Sequence, residues 1–493
     1  MSPNQDFPPE SGPRNPIAQR VLDNPHLTFH VDDDSIVIAV KAELLVRRSV
    51  RDTSSELDQE LAKIATRHGT LASIPKARGS RDGEGSYARP GAGAYQPDER
   101  GPAGDVEVWR LNDDTFDSID EARRLRRMAA DEVIETKRGP TLRVPAVSPN
   151  HVAILSAKAG GCPASPPRPA PMPDESFVEP IEAVPASKVT VLDSGYISIT
   201  PPGQPHVALD ARVSLVDGER LDTVANPASW QPDGPDGLDT DGDGRLDGIA
   251  GHGTFIAGLI AHLCPQTELT VVGLRNQEVE IGGLNPAEQA GLFETEAAIA
   301  HAMLQHSDAD VIQCGFAFPT LDDYPSLPFA AAMQVLTGPG APRKGVAVVA
   351  PAGNEESSRR YWPAALPDVI GVASTNPHGH QRAWFSNWGD WCDCCTRGED
   401  VYSTFVYWDG PIEGEPLTST EHFAGWARWD GTSFAAPKVS AAIACLLASA
   451  EGDLLPTEAW ELIVTGDGEV EVTELTDDTL SGVPVTLPRL HLG

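Results

Sequence analysis

Four short segments of this 493-residue chain carry side chains whose combination can do covalent chemistry. Asp193 closes the run VTVLD, His252 lies in GHGTFIAG, Asn354 follows VVAPAG, and Ser433 stands in GTSFAAPKVSAAIACLL. A serine hydroxyl is a poor nucleophile at neutral pH and needs a base to take its proton. An imidazole is the usual base, and a carboxylate fixes its tautomer and stabilises the imidazolium that forms. A side-chain amide and a backbone N–H can then donate to the oxyanion. Singly, each segment has an ordinary explanation: a turn aspartate, a polar loop histidine, an N-capping serine. Together, in one chain, they supply the side-chain types that acyl transfer needs.

The elements around them must bring them together. KVTVLD (188–193), ELTVVGL (268–274), DVIQCGF (310–316), GVAVVAPAG (345–353) and VIGVAS (369–374) are apolar, β-branched runs of buried-strand length. Helix-like stretches lie between several of them, at 252–263, 294–306 and 326–337. Strands alternating with helices predict an α/β fold, a doubly wound parallel sheet covered on both faces. Such a sheet gathers functional residues at strand ends and helix starts, where all four segments fall. Ser433, opening a long apolar helix, also meets the positive end of the helix dipole.

On these residues the chain resembles the subtilisin-like serine peptidases, the subtilase family (S8-type), whose catalytic residues run in the order Asp, His, Ser. The resemblance covers about 188–465. It implies Asp193, His252 and Ser433 as the triad and Asn354 as the oxyanion residue. Gly315, Phe316 and Ala317 sit where the family has a strand that pairs with substrate backbone, and Ala352 with Gly353 would wall the S1 pocket. Phe255 stands where a histidine is frequent, a change of wall. Glu355 and Glu356 read as solvated surface carboxylates, the other reading being a preference for a basic P1 residue. The implied function is serine endopeptidase action on polypeptides; a cytoplasmic setting is expected from the composition, and regulation because an unregulated cytoplasmic protease would harm its host. The alternative is a catalytically silent polypeptide-binding protein on the same scaffold.

The resemblance implies no cofactor for the chemistry, but calcium is common in the family. Asp239, Asp241, Asp243 and Asp247 match positions 1, 3, 5 and 9 of a calcium loop, with Gly244 at position 6. Position 12 is Ala250, so the bidentate ligand is missing. Either other oxygens complete a structural Ca²⁺ site, or this is an Asp/Gly-rich turn. Cys392, Cys394 and Cys395 are spaced too tightly for a zinc site without a second pair, which leaves packed thiols or a redox-sensitive pair. The crowd of tryptophans between Trp384 and Trp429 reads as packing.

Before the sheet pattern begins, residues 1–25 are polar and Pro-rich and read as a disordered tail. Elements over 26–155 make a small α+β domain with a flexible insertion at 70–104. They are a hairpin, a helix at 54–68 with Leu57, Leu61 and Ile64 on one face, a strand at 105–111, a helix at 118–134 and closing strands. A Pro-rich linker spans 156–187, and 466–493 reads as a C-terminal extension. The family often carries an N-terminal propeptide. That makes 26–155 either a domain that regulates the cleft through the linker or a site for a regulatory protein partner. The paired arginines at 123–124 and 126–127 read as a solvated face or as a contact with the acidic body of the protein.

Composition restricts the partners. Seventy-two acidic against 37 basic residues give a formal charge of −35, whose field repels nucleic acid and anionic membrane. The first thirty residues show no signal-peptide core, and no stretch of 18 uninterrupted apolar residues occurs, so no membrane span is expected. Seven sparse cysteines suit a reducing compartment better than a disulfide framework.

Overall fold

Alternation of large β-branched side chains on short runs builds the central sheet. The computed structural model describes residues 27–32, 35–71, 105–113, 115–135, 141–154, 164–172, 187–196, 215–216, 219–220, 238–239, 244–274, 292–338, 341, 345–413, 417–450, 453–467, 470–480 and 482–492. The 1–25 tail, nearly all of the 70–104 insertion and much of the linker fall outside them.

The N-terminal unit comprises β1 (Leu27–Asp32), β2 (Ser35–Arg47), α1 (Ser55–His68), β3 (Val106–Leu111), α2 (Ser118–Leu125) and β4 (Val147–Ile154). Ser54 caps α1 by accepting the Leu57 N–H, and Leu57, Leu61 and Ile64 are the buried face. α2 is shorter than the periodicity predicts. After a turn of 3-10 helix at Arg126–Met128, Glu132–Ile134 pairs with Leu142–Val144 as a small hairpin, which removes Val133 from any helix. Arg126 ends the helix because its guanidinium is drawn inward, donating to the Val147 carbonyl and pairing with Asp322.

The C-terminal unit holds β6 (Ser187–Asp193), α3 (His252–Leu263), β7 (Thr267–Gly273), β8 (Leu292–Thr295), α4 (Glu296–Gln305), β9 (Val311–Cys314), α5 (Leu327–Thr337), β10 (Ala347–Pro351), β11 (Val369–Thr375) and β12 (Cys394–Arg397). It continues with β13 (Val401–Gly410), β14 (Glu421–Trp429), α6 (Ala436–Ser449), α7 (Pro456–Thr465), β15 (Val472–Asp477) and β16 (Val485–Leu490). The linker contributes β5 (Arg168–Pro169), which pairs with β14. The main sheet runs β7-β6-β9-β10-β11-β12-β16-β15, parallel except for the last pair. Successive residues split between two cores: Val189, Val191, Val311 and Val349 face α3, α6 and α7, while Leu192, Ile312 and Val348 face α4 and α5. This is the doubly wound sheet the strand–helix alternation predicts.

Two segment boundaries differ from the sequence reading. Val472–Asp477 and Val485–Leu490 are the last two strands of the sheet and no extension, because Val485 and Leu487 pack on the core of one face and Leu490 on the core of the other. In the other direction, β8 leaves the C-terminal unit and pairs antiparallel with β4, adding a strand to the N-terminal sheet. That sheet lies over α4 and α5, and Leu45, Val106 and Ala153 share one apolar core with Ala297, Ala300 and Phe329. At its centre His151 Nδ1 stands 2.7 Å from Glu296 Oε1, and His151 Nε2 accepts the Leu321 N–H at 3.1 Å. Arg123 and Arg126 both reach Asp322, so these arginines meet the acidic body of the C-terminal unit.

Candidate active site

Strand order reverses beside β6, with β7 on one side and β9 on the other, and an open α/β sheet forms its crevice at such a point. Asp193 is the last residue of β6 and lies in that crevice, fully buried. Its Oδ1 accepts the Ser194 N–H at 2.6 Å. His252 is the first residue of α3, and its Nδ1 lies 2.9 Å from both Asp193 oxygens. An ionised carboxylate only accepts, so Nδ1 carries the proton and Nε2 presents its lone pair.

Gly315, just past β9, lies directly behind the carboxylate. A Cβ there would stand 1.6 Å from Asp193 Oδ2, so no other residue type fits without moving the aspartate. Sequence reasoning assigned Gly315 to substrate binding and did not anticipate this contact. Phe316 and Ala317 follow it and are buried, Phe316 stacked on Phe329 at 6.1 Å between ring centroids.

The imidazole sits in an aromatic nest. Trp429 meets it edge-on at 5.6 Å and Phe434 lies 5.3 Å away. Phe255, expected as a cleft wall, is instead a wholly buried member of this nest, 4.5 Å from Phe434. One turn along α3 from His252, an apolar ring gains more by burial against Trp429 and Phe434 than a histidine would.

Ser433 stands in a 3-10 turn, Thr432–Phe434, that leads into α6. By length and composition alone Thr432–Ser449 could cross a membrane, but 67% of it is buried inside the protein, as a core helix behind the sheet. Ser433 Oγ and His252 Nε2 are both buried polar atoms without a hydrogen-bond partner. Each such atom costs about 1–3 kcal/mol, which a fold tolerates where chemistry needs the atom. Asp193, His252 and Ser433 are all 0% exposed.

Asn354 follows β10, and its Oδ1 accepts from the Thr432 N–H at 2.8 Å and Oγ1 at 2.9 Å. This fixes the amide with its nitrogen turned away from Thr432. The Gly353 N–H donates to Thr432 Oγ1 at 3.0 Å, tying the two loops together. Glu355 is not a solvated carboxylate. It accepts the Asn354 N–H at 2.9 Å and an Asn387 Nδ2 hydrogen at 3.1 Å, and burial pushes its carboxyl up to about 7 against those bonds. Glu356 is exposed and pairs with Arg382. Thr432 and Asn387 escaped the sequence reading. The signal available was a polar residue inside the apolar run WFSNW (384–388).

The linker reaches the same neighbourhood. The Ala164 N–H donates to the Asp430 carbonyl at 2.9 Å, Ser165 Oγ donates to Asp430 Oδ2 at 2.7 Å, and Trp429 Nε1–H donates to the Ser165 carbonyl at 2.5 Å. Residues 164–169 therefore lie against the segment entering Ser433.

Of the proposed calcium ligands, Asp239 accepts the Gly244 N–H at 2.8 Å, as a turn would, and Asp247 is also described; Asp241 and Asp243 lie outside the described residues. Among the described residues no three His, Cys, Asp or Glu side chains converge on a cation position. Cys392, Cys394 and Cys395 are buried and outside any disulfide, and burial pushes the Cys395 thiol up to about 12. Trp388, Trp391, Trp426 and Trp429 are buried as packing, whereas Trp384 is exposed.

Comparison with known proteins adds the family. A family model described as the subtilase family matches residues 185–480, more than half of the chain. A thermophilic serine proteinase of Bacillus sp. (strain AK1) is 38% identical over 106 residues, 22% of this chain and 22% of that protein. Thermitase of Thermoactinomyces vulgaris is 37% identical over 106 residues, 22% of this chain and 32% of that protein. The matches span between 20% and 32% of the length of these curated relatives. Among solved structures, fervidolysin from Fervidobacterium pennivorans, a keratinolytic enzyme related to subtilisin, aligns at 16% identity with a TM-score of 0.49, over 89% of this chain and 58% of that one. The prenylagaramide maturation protease PagA aligns at 19% identity with a TM-score of 0.39, over 57% and 84%.

Proposed function

The chain belongs to the subtilase family, and from that premise we propose that it is a serine endopeptidase working through Asp193, His252 and Ser433 with Asn354 as an oxyanion donor. The observation that carries the reading is the buried Asp193–His252 pair, which leaves Nε2 without a partner beside a nucleophile segment whose hydroxyl also has none. Ser433 Oγ adds to the scissile carbonyl as its proton passes to His252 Nε2. The imidazolium is held by Asp193 through Nδ1–H. The oxyanion takes hydrogen bonds from Asn354 Nδ2 and the Ser433 N–H. Collapse of the tetrahedral adduct breaks the C–N bond, and His252 returns the proton to the leaving amine. Water, deprotonated by the same nitrogen, then hydrolyses the acyl-enzyme and restores Ser433.

The N-terminal unit and linker regulate this activity in the same reading. Support comes from the shared core over α4 and α5, the buried His151–Glu296 pair and the docking of 164–169 beside Asp430. A cytoplasmic setting is supported by the six described cysteines, none of which joins a disulfide among the described residues. The test is labelling of the full-length chain by a fluorophosphonate probe, with turnover of a fluorogenic peptide library. Labelling that maps to Ser433 and disappears in Ser433→Ala is the expected result. An unlabelled chain that binds peptides without cutting them would favour a silent binding protein instead.

A further inference from the structure

Asn354 lies on a loop without regular secondary structure, yet an oxyanion donor must stay in place while charge develops on the substrate. The neighbouring loop, between β11 and β12, supplies Asn387, which is completely buried. Its backbone N–H and its side-chain amide bond, among the described residues, to residues 352–357. The N–H donates to the Gly353 carbonyl at 3.0 Å. Nδ2 donates to the Ala352 carbonyl at 3.0 Å and to Glu355 Oε2 at 3.1 Å. Oδ1 accepts the N–H groups of Glu355 and Ser357, each at 3.0 Å. Glu355 Oε2 closes the frame by accepting the N–H of Asn354 itself at 2.9 Å. The fit is tight: Gly353 has φ +102°, and a Cβ there would come within 2.4 Å of Asn387 Nδ2.

We propose that Asn387, with Glu355 as its carboxylate partner, is a positioning residue that holds the 352–357 backbone so that the Asn354 amide faces the reacting carbonyl. This rests on the oxyanion role given to Asn354 above. Asparagine suits the position because one amide must accept from two N–H groups and donate to a carbonyl and a carboxylate. Aspartate lacks the donor, and serine lacks the second arm. Thr432 grips the Asn354 side chain while Asn387 and Glu355 grip its backbone, so the amide is fixed from two directions.

The experiment uses the full-length chain with Asn387→Ala and the near-isosteric Asn387→Asp, each with and without Asn354→Ala. Removing the frame is expected to lower kcat by about 10–10² with KM within about threefold, the scale of a modest misplacement of a catalytic group. In the Asn354→Ala background the further loss is expected to stay below about twofold, because residues acting through one another are non-additive. A residue that merely supports the fold would lower kcat equally in both backgrounds, and that result overturns the proposal. So does wild-type kcat in Asn387→Asp, which decides the matter should Asn387→Ala fail to fold. Amide hydrogen exchange at Glu355 and Ser357 reads the clamp without any turnover: it accelerates in Asn387→Ala, and unchanged exchange also overturns the proposal. Accelerated exchange in a chain whose wild type cuts nothing would refute the peptidase reading and leave the clamp standing.

Discussion

Replacing Gly315 by alanine attacks the proposed catalytic aspartate from behind. The new Cβ would lie 1.6 Å from Asp193 Oδ2 and 2.7 Å from Cγ. Ordinary non-bonded separation is about 3.5 Å, so the carboxylate or β9 must yield by roughly 2 Å. His252 Nδ1 is 2.9 Å from both oxygens, and a displacement of that size removes at least one contact and turns the imidazole. Overpacking of this kind costs about 1–3 kcal/mol of stability. Turnover falls further, by about 10² for a misplaced group and up to about 10⁴ if the tautomer is no longer fixed. The assay is kcat on a fluorogenic peptide, with thermal midpoints of Gly315→Ala in the wild-type and Asp193→Ala backgrounds. Beyond the Asp193 carboxylate, the next atom the new Cβ meets is Ile256 Cδ1 at 3.2 Å, so without that carboxylate the destabilisation should largely vanish. Equal drops in both backgrounds, or kcat within about threefold of wild type, would refute the reasoning.

Four further outcomes follow from the same geometry. Asn354→Ala should lower kcat by about 10²–10³ at similar KM, checked by steady-state kinetics. Glu355 has a folded pKa of about 7, above the value of about 4.3 for an unfolded glutamate, so the folded state holds the extra proton between them. Its contribution to stability is full below that lower value and is lost as pH rises through about 7, by at most about 1.4 kcal/mol per unit; Glu355→Gln should flatten that slope in thermal midpoints measured across the window. Glu296→Ala leaves the buried His151 Nδ1–H without its acceptor and should destabilise the chain by about 1–3 kcal/mol, read by denaturant unfolding. Cys392 and Cys395, whose thiols burial pushes up, should resist a thiol reagent in the native chain and react only on unfolding, as mass spectrometry of the labelled peptides will show.

Much of this was legible in the chain because it depends on local pattern. β-branched runs such as KVTVLD announce strands buried on both faces, and Leu57, Leu61 and Ile64 announce a helix face. The types of the reacting groups were legible for the same reason, since nucleophile, base and amide are chosen by chemistry before geometry. Proximity was not legible. Asn387 lies 33 positions beyond Asn354, and nothing in WFSNW says which loop its amide will meet. Gly315 read as a substrate contact because a glycine's partners are set by whatever packs where its Cβ would be. Glu355 read as solvated because burial is a property of the neighbours and not of the residue. Residues 472–490 read as an extension because pairing with β12 is a long-range contact, formed only once the rest of the sheet provides an edge. The sequence by itself determined the alternating elements and the reactive groups they carry. Tertiary structure alone decided which distant atoms share a cavity, because hydrogen bonds and close contacts act over a few ångströms and only the folded chain brings such positions that near.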